Sequence, residues 1–281
     1  MPETGPTVVL PGRPLTIGEL LDSAVLLLRG RAAVLLPLAA VLAVGEQLLL
    51  LPLRTAMGAT GPLWWPAGMD DLGLFWFLLA LGAATEAMII LFLGNPAARA
   101  AAGALVGRRP TTGELLGSSG SRWGATALLC LVVGAVMLLA SLLGPAWLVG
   151  FALLGAVAPA LVIDRVAPVR AIRRAVALAS RLGGRAAALR LLGYLVWWMV
   201  RVGLGWGLFT GLTALDLITE GLATAVAMLA WAAVNTVAYA ALACLDAVVH
   251  LETRIRTEGL DIRLSRAPGA PATTELLAVG G

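Results

Sequence analysis

Three ionisable residues stand inside stretches that are otherwise apolar: Glu46, Glu86 and Arg201. A charged side chain in hydrocarbon costs several kcal/mol unless it is paired or wet, so such residues mark substrate sites, ion pathways or structural pairs. Glu46 lies about fourteen residues into its stretch and Arg201 about fifteen into its own, so at 1.5 Å per residue they reach nearly the same depth. Matched depth predicts a buried Glu46–Arg201 ion pair. Glu86 has no basic residue at its depth, and Asn235 and Tyr239 are the polar neighbours expected around it. A carboxyl, an amide and a phenol together could relay a proton or a cation. Structural hydrogen bonding is the plainer reading.

Other chemistry finds little support. His250, the only histidine, has Asp246 at i−4 and Arg254 at i+4 and reads as a surface or capping residue at a helix end. A zinc site or a catalytic triad would need companions that the sequence does not place near it. The chain contains no P-loop, G-x-S-x-G, H-E-x-x-H or Rossmann glycine pattern. No catalytic residue, metal or cofactor is expected. Cys130 and Cys244 fall inside apolar stretches without metal-ligand spacing and read as small buried hydrophobes.

The elements that must hold these residues are membrane spans. Sixty percent apolar residues, 13% charged and a mean hydropathy of +0.93 exclude an ordinary soluble domain. Six stretches meet the length needed to cross about 30 Å of hydrocarbon: 32–53, 72–94, 124–143, 145–163, 186–207 and 221–248. All twenty basic residues are arginine. Arg13, Arg29 and Arg31 precede the first stretch, Arg99 to Arg122 separate the second from the third, Arg165 to Arg185 separate the fourth from the fifth, and Arg254 to Arg266 follow the sixth. The alternate loops carry only Arg54. The positive-inside rule then predicts a bacterial plasma-membrane protein with both termini cytoplasmic. The same clustering beside apolar spans turns a basic pI of about 10.0 toward anionic lipid headgroups rather than nucleic acid.

The layout predicts an all-α membrane domain over 1–263, built as three hairpin repeats, each preceded by a cytoplasmic amphipathic interfacial helix, with a disordered tail over 264–281. Arg13-Pro14-Leu15-Thr16-Ile17-Gly18-Glu19 and Arg109-Pro110-Thr111-Thr112-Gly113-Glu114 each place a T-x-x-E capping box before such a span. Segment 16–29 carries an apolar stripe through Ile17, Leu20, Leu21, Ala24, Leu27 and Leu28; 111–120 is shorter. In 168–182 a basic face of Arg170, Arg173, Arg174 and Arg181 is expected to contact headgroups. Gly203, Gly207 and Gly211 predict an internal helix-packing face, and Pro37 and Pro159 predict kinks. Gly259 is a natural helix stop.

Three segments also carry a resemblance: Pro14-Leu15-Thr16-Ile17-Gly18-Glu19-Leu20-Leu21-Asp22, Ala167-Pro168-Val169-Arg170-Ala171-Ile172-Arg173-Arg174-Ala175, and Glu252-Thr253-Arg254-Ile255-Arg256-Thr257-Glu258-Gly259-Leu260-Asp261. Over about residues 13–263 the chain resembles actinobacterial multi-pass proteins labelled as the membrane domain of glycerophosphoryl diester phosphodiesterase. The label comes from proteins with a separate soluble barrel, for which this chain has neither the length nor the histidines. The resemblance therefore implies a membrane module, not that activity.

Two functional readings follow. The first is a non-catalytic scaffold or accessory module at the cell envelope, docking a membrane or cytoplasmic protein partner. The second is a transporter or permease subunit with a site near Glu86, Glu46 and Arg201; a lipid-modifying enzyme comes third. Substrate, partner and oligomeric state are not written in the sequence.

Overall fold

A computed structural model describes residues 13–266 and 274–279, and these are all-helical apart from loops and one isolated β-bridge between Thr60 and Trp65. The helices are α1 (Ile17–Ala56), α2 (Leu72–Leu105), α3 (Thr112–Leu116), α4 (Trp123–Leu142), α5 (Ala146–Leu154), α6 (Val157–Val162), α7 (Pro168–Ala214), α8 (Ala223–Glu258) and α9 (Leu260–Ser265). Five of them, α1, α2, α4, α7 and α8, are long and apolar enough to cross a membrane.

The fourth expected span is divided. Pro159 has no N–H to give, and its ring crowds the carbonyl four residues back, which is that of Gly155. The helix breaks there, leaving α5 and α6 on either side of Gly155 and Ala156.

The first interfacial helix is not a separate element. Its buried stripe of Leu20, Ala24, Leu27, Val34, Leu35, Ala39, Ala43, Glu46, Gln47, Leu50 and Arg54 keeps helical spacing from end to end. With one continuous apolar face to bury, α1 runs unbroken for 40 residues through Pro37 and Pro52. In α7, by contrast, Arg181 to Gly184 leave helical geometry, and Leu182, Gly183 and Gly184 take positive φ. The basic segment is thus set off from the span after it, as expected. The segment 111–120, expected as a further interfacial helix, is helical only over the five residues of α3.

Both capping boxes form. Thr16 accepts from the Glu19 N–H and Glu19 accepts from the Thr16 N–H; Thr111 and Glu114 do the same. Each glutamate also binds an arginine six residues earlier, Arg13 and Arg108. The Thr111 N–H, with Arg108 behind it, holds the Glu114 carboxyl below the usual carboxylate range.

α8 is the centre of the bundle. It packs on α1, α2 and α7, while α2 also packs on α1 and α4, and α7 on α5 and α6. Small residues let these axes approach: a Cβ at Gly193 would collide with Leu245, and one at Gly94 would lie 2.8 Å from Ala158. The Gly203–Gly207–Gly211 stripe does not share this role. Nothing lies within 4 Å of any of the three, so the stripe faces outward rather than into an internal seam. The inward glycine of that region is Gly205, against Trp231.

The tail is partly ordered as well. Thr274–Leu277 forms a short 3₁₀ helix with Leu277 fully buried, which corrects the expectation of disorder over 264–281; residues 267–273 and 280–281 lie outside the described residues.

Candidate functional site

The three ionisable residues converge, in a different pairing from the one predicted. Arg201 on α7 lies 2.7 Å from Glu86 on α2. The Tyr194 hydroxyl, one helical repeat away on α7, donates to the other oxygen of Glu86 at 3.1 Å. Glu46 is not the partner of Arg201. Its Oε1 accepts from the Thr85 hydroxyl at 2.9 Å, and its Oε2 accepts from Tyr239 at 2.7 Å and Asn235 at 3.2 Å. Asn235 and Tyr239, expected around Glu86, therefore serve Glu46. The physical reason is rotation about the helix axis. α8 stands between α1 and α7, so residues at equal depth on those two helices face different neighbours.

Adjacent residues of α2 divide the work. Thr85 turns to Glu46 and Glu86 to Arg201, so one turn of α2 ties α1 to α7. The Arg201 guanidinium also lies 5.5 Å from the Tyr239 ring and 5.6 Å from the Tyr194 ring, linking the two clusters. Tyr194 is fixed from behind by stacking on Phe151, with centroids 4.0 Å apart, and by the edge of Trp147.

Glu46, Glu86, Tyr194, Arg201, Asn235 and Tyr239 line one cavity of about 460 Å³ between α1, α2, α7 and α8. That volume lies within the range of about 300–1,000 Å³ common for small-molecule sites. Its wall also holds Arg54, a residue the positive-inside argument treated only as a loop charge. Arg54 is 5% exposed, donates to Gln47 Oε1 at 2.9 Å and lies 4.1 Å above the Trp64 ring. Among the described residues it has no carboxylate partner. Arg54 Nε, Trp64 Nε1, Arg201 Nε and Ser141 Oγ are buried cavity-wall atoms without a hydrogen-bond partner, as is Asn235 Oδ1.

A second pair inside the expected spans carries no role in the sequence reading: Arg190 and Asp246, 3.1 Å apart and buried. Both fall within drawn spans, which was the available signal. Asp246 fills the space that a side chain at Gly155 would need, at the α5–α6 break.

The opposite end of α8, around His250 and Arg254, holds a denser ionic cluster. His250 is fully buried rather than on the surface, with Nε2 3.0 Å from Asp164. Arg254 donates to Asp164 at 2.7 Å and to Glu258 at 3.0 Å. Arg174, expected among headgroups, instead binds Asp164 and Glu258; Arg181 reaches Glu258 at 3.3 Å. Arg170 and Arg173 remain exposed. Burial opposes ionisation of Asp164, but His250, Arg254 and Arg174 outweigh it and hold the carboxyl below its ordinary value. The tail closes over this cluster: Arg254 donates to the Leu277 carbonyl at 2.7 Å, and the Val279 N–H to the Asp164 carbonyl at 3.2 Å.

Other arginines hold backbone carbonyls: Arg31 binds Pro110, Arg99 binds Leu115, Gly117 and Ser119, and Arg122 binds Val166. Among the described residues no three His, Cys, Asp or Glu side chains gather as a metal site. No protein-family model, curated protein or solved structure matches this chain.

Proposed function

We propose that the chain is a six-crossing plasma-membrane protein that binds a small solute or amphiphile in the cavity, as a transporter or permease subunit does. The observation that carries this reading is the cavity: two carboxylates and two guanidiniums line it within helices of membrane-spanning length. Charge placed at such cost marks substrate sites. A scaffold would need the same helices but not this volume. In this reading α5 and α6 together form the fourth of the six crossings, about 25 Å long and broken at Gly155 as transporter helices often are. The arginine distribution puts both termini in the cytoplasm and the cavity in the outer half. The Arg254–Asp261 stretch supports kinship with the multi-pass modules the chain resembles, and no reaction is assigned.

Gly82 supplies the test. It lines the cavity, and nothing lies within 4 Å of a Cβ built there. Gly82→Phe should fill the space while sparing the helix contacts. Native mass spectrometry and melting curves of nanodisc-embedded protein, screened against a solute and lipid panel, should show a ligand that stabilises the wild type and not the variant. Identical responses from the two proteins would sink the proposal and leave the scaffold reading.

A further inference from the structure

The cavity is not sealed from the bilayer. Leu79 and Trp76 on α2 and Trp198 on α7 line it and are each 45–49% exposed, so the cavity is open along that wall. α2 and α7 lean mainly on other helices, and at this level they meet through the side chains Glu86, Arg201 and Tyr194. The gap between them, beside the α4–α5 hairpin that packs on both, is the side door.

What the interior offers is uneven. The carboxylates are engaged: Glu46 receives three donors, and both oxygens of Glu86 face Arg201 or Tyr194. The donors are not. Arg54 Nε, Trp64 Nε1 and Arg201 Nε are N–H groups without a partner, and their residues are each 6% exposed or less. Against them stand two acceptors without a hydrogen bond, Asn235 Oδ1 and Glu86 Oε1, the latter already ion-paired to Arg201; the Ser141 hydroxyl can act either way. A cationic ligand would need an open carboxylate as counter-charge, and both are engaged; Trp76 and Trp198 offer it aromatic faces only. An acceptor-rich anion matches. Guanidiniums bind phosphate oxygens with charge-assisted hydrogen bonds, at their strongest where water is excluded.

The geometry points to a membrane amphiphile with a phosphate headgroup, entering sideways between α2 and α7. Its head is taken by Arg54, Trp64 and Arg201, and its apolar tail stays outside against Leu79 and Trp198. The volume suits a headgroup rather than a whole diacyl lipid, so the tail must remain in the bilayer. This rests on the binding reading above and gives that site its ligand class.

The experiment compares phosphatidylglycerol, diacylglycerol with the same chains, and inorganic phosphate, each titrated against detergent-purified full-length protein by native mass spectrometry and thermal shift. Phosphatidylglycerol should bind at least about tenfold more tightly than diacylglycerol, the scale of one lost charge-assisted hydrogen bond. Trp64→Phe keeps the ring beneath Arg54 and removes only the N–H; it should weaken phosphatidylglycerol binding severalfold, and Arg54→Gln more so. Leu79→Trp, at the side door, should slow lipid binding. Equal binding of the two lipids would overturn the inference. So would phosphate that binds as tightly as the lipid and ignores Leu79→Trp, since the ligand would then be a water-borne anion. A different solute lost on Gly82→Phe, with no phosphatidylglycerol preference, would end this inference and keep the binding reading. No response to Gly82→Phe with any ligand would end both.

Discussion

Arg201 on α7 and Glu86 on α2 form a buried ion pair 2.7 Å long, while Glu46, at the matching depth, is held by three neutral donors instead. Breaking a buried pair strands a charge; removing both partners does not. Glu86→Gln and Arg201→Met should each cost about 3–5 kcal/mol, and the double variant much less than their sum. Denaturation in a fixed detergent gives the cycle. Additive single effects would show that the two residues are uncoupled.

Acid should release the Asp164 cluster. The Asp164 carboxyl is held below its ordinary 3.8, so its contribution is fully present above about pH 4 and is lost as the pH falls through the folded-state value. Melting curves from pH 7 to pH 3 should draw together for wild type and Asp164→Asn toward the acid end, with the wild type higher at neutrality. Parallel curves across the range would contradict the assignment.

Leu277 docks the tail as an apolar plug over Asp164 and Arg254. Leu277→Ala removes about 2 kcal/mol or more of burial, raising the undocked fraction more than about tenfold. Tryptic cleavage at Arg263 and Arg266 should accelerate accordingly. Unchanged cleavage would mean that the plug does not protect these sites.

Topology is open to direct labelling. Cys130 and Cys244 are buried, which keeps the background low. Gly68→Cys, in the loop before α2, should react with an impermeant maleimide on intact cells, and Ser119→Cys, in the loop after α3, only after lysis. The reverse pattern would invert the protein in the membrane.

What could be read in advance was local. Thr16–Glu19 and Thr111–Glu114 needed only their own turns to form caps, and Gly259 ends α8 in the left-handed conformation, as its lack of a Cβ allows. What failed was azimuthal. Spacing gives the depth of Glu46 and Arg201 but not the helix each one faces, and it cannot tell that Arg174 turns inward or that Gly203 turns outward. The same limit hid the cavity, because Arg54 enters it from the last turn of α1, with Trp64 from the loop after it, and the sequence marks Arg54 only as a loop charge. Continuity of α1 was readable in principle, since its buried stripe never loses phase between Leu20 and Arg54.

The Leu15 carbonyl, just ahead of α1, receives hydrogen bonds from both Arg185 and Arg256, the latter 241 residues away. α1 and α8 are also the most extensively packed pair of helices. The first long helix made thus depends on the last long one. At a synthesis rate of about 5–20 residues per second, the stretch between Ala56 and Ala223 keeps α1 waiting on the order of ten to thirty seconds. During that time Glu46 has no Tyr239 or Asn235 to bond, and the inner face of α1 is open to lipid or to whatever assists insertion. Assembly is therefore slowest and most exposed at its beginning, and a defect in α8 should surface as premature loss of α1.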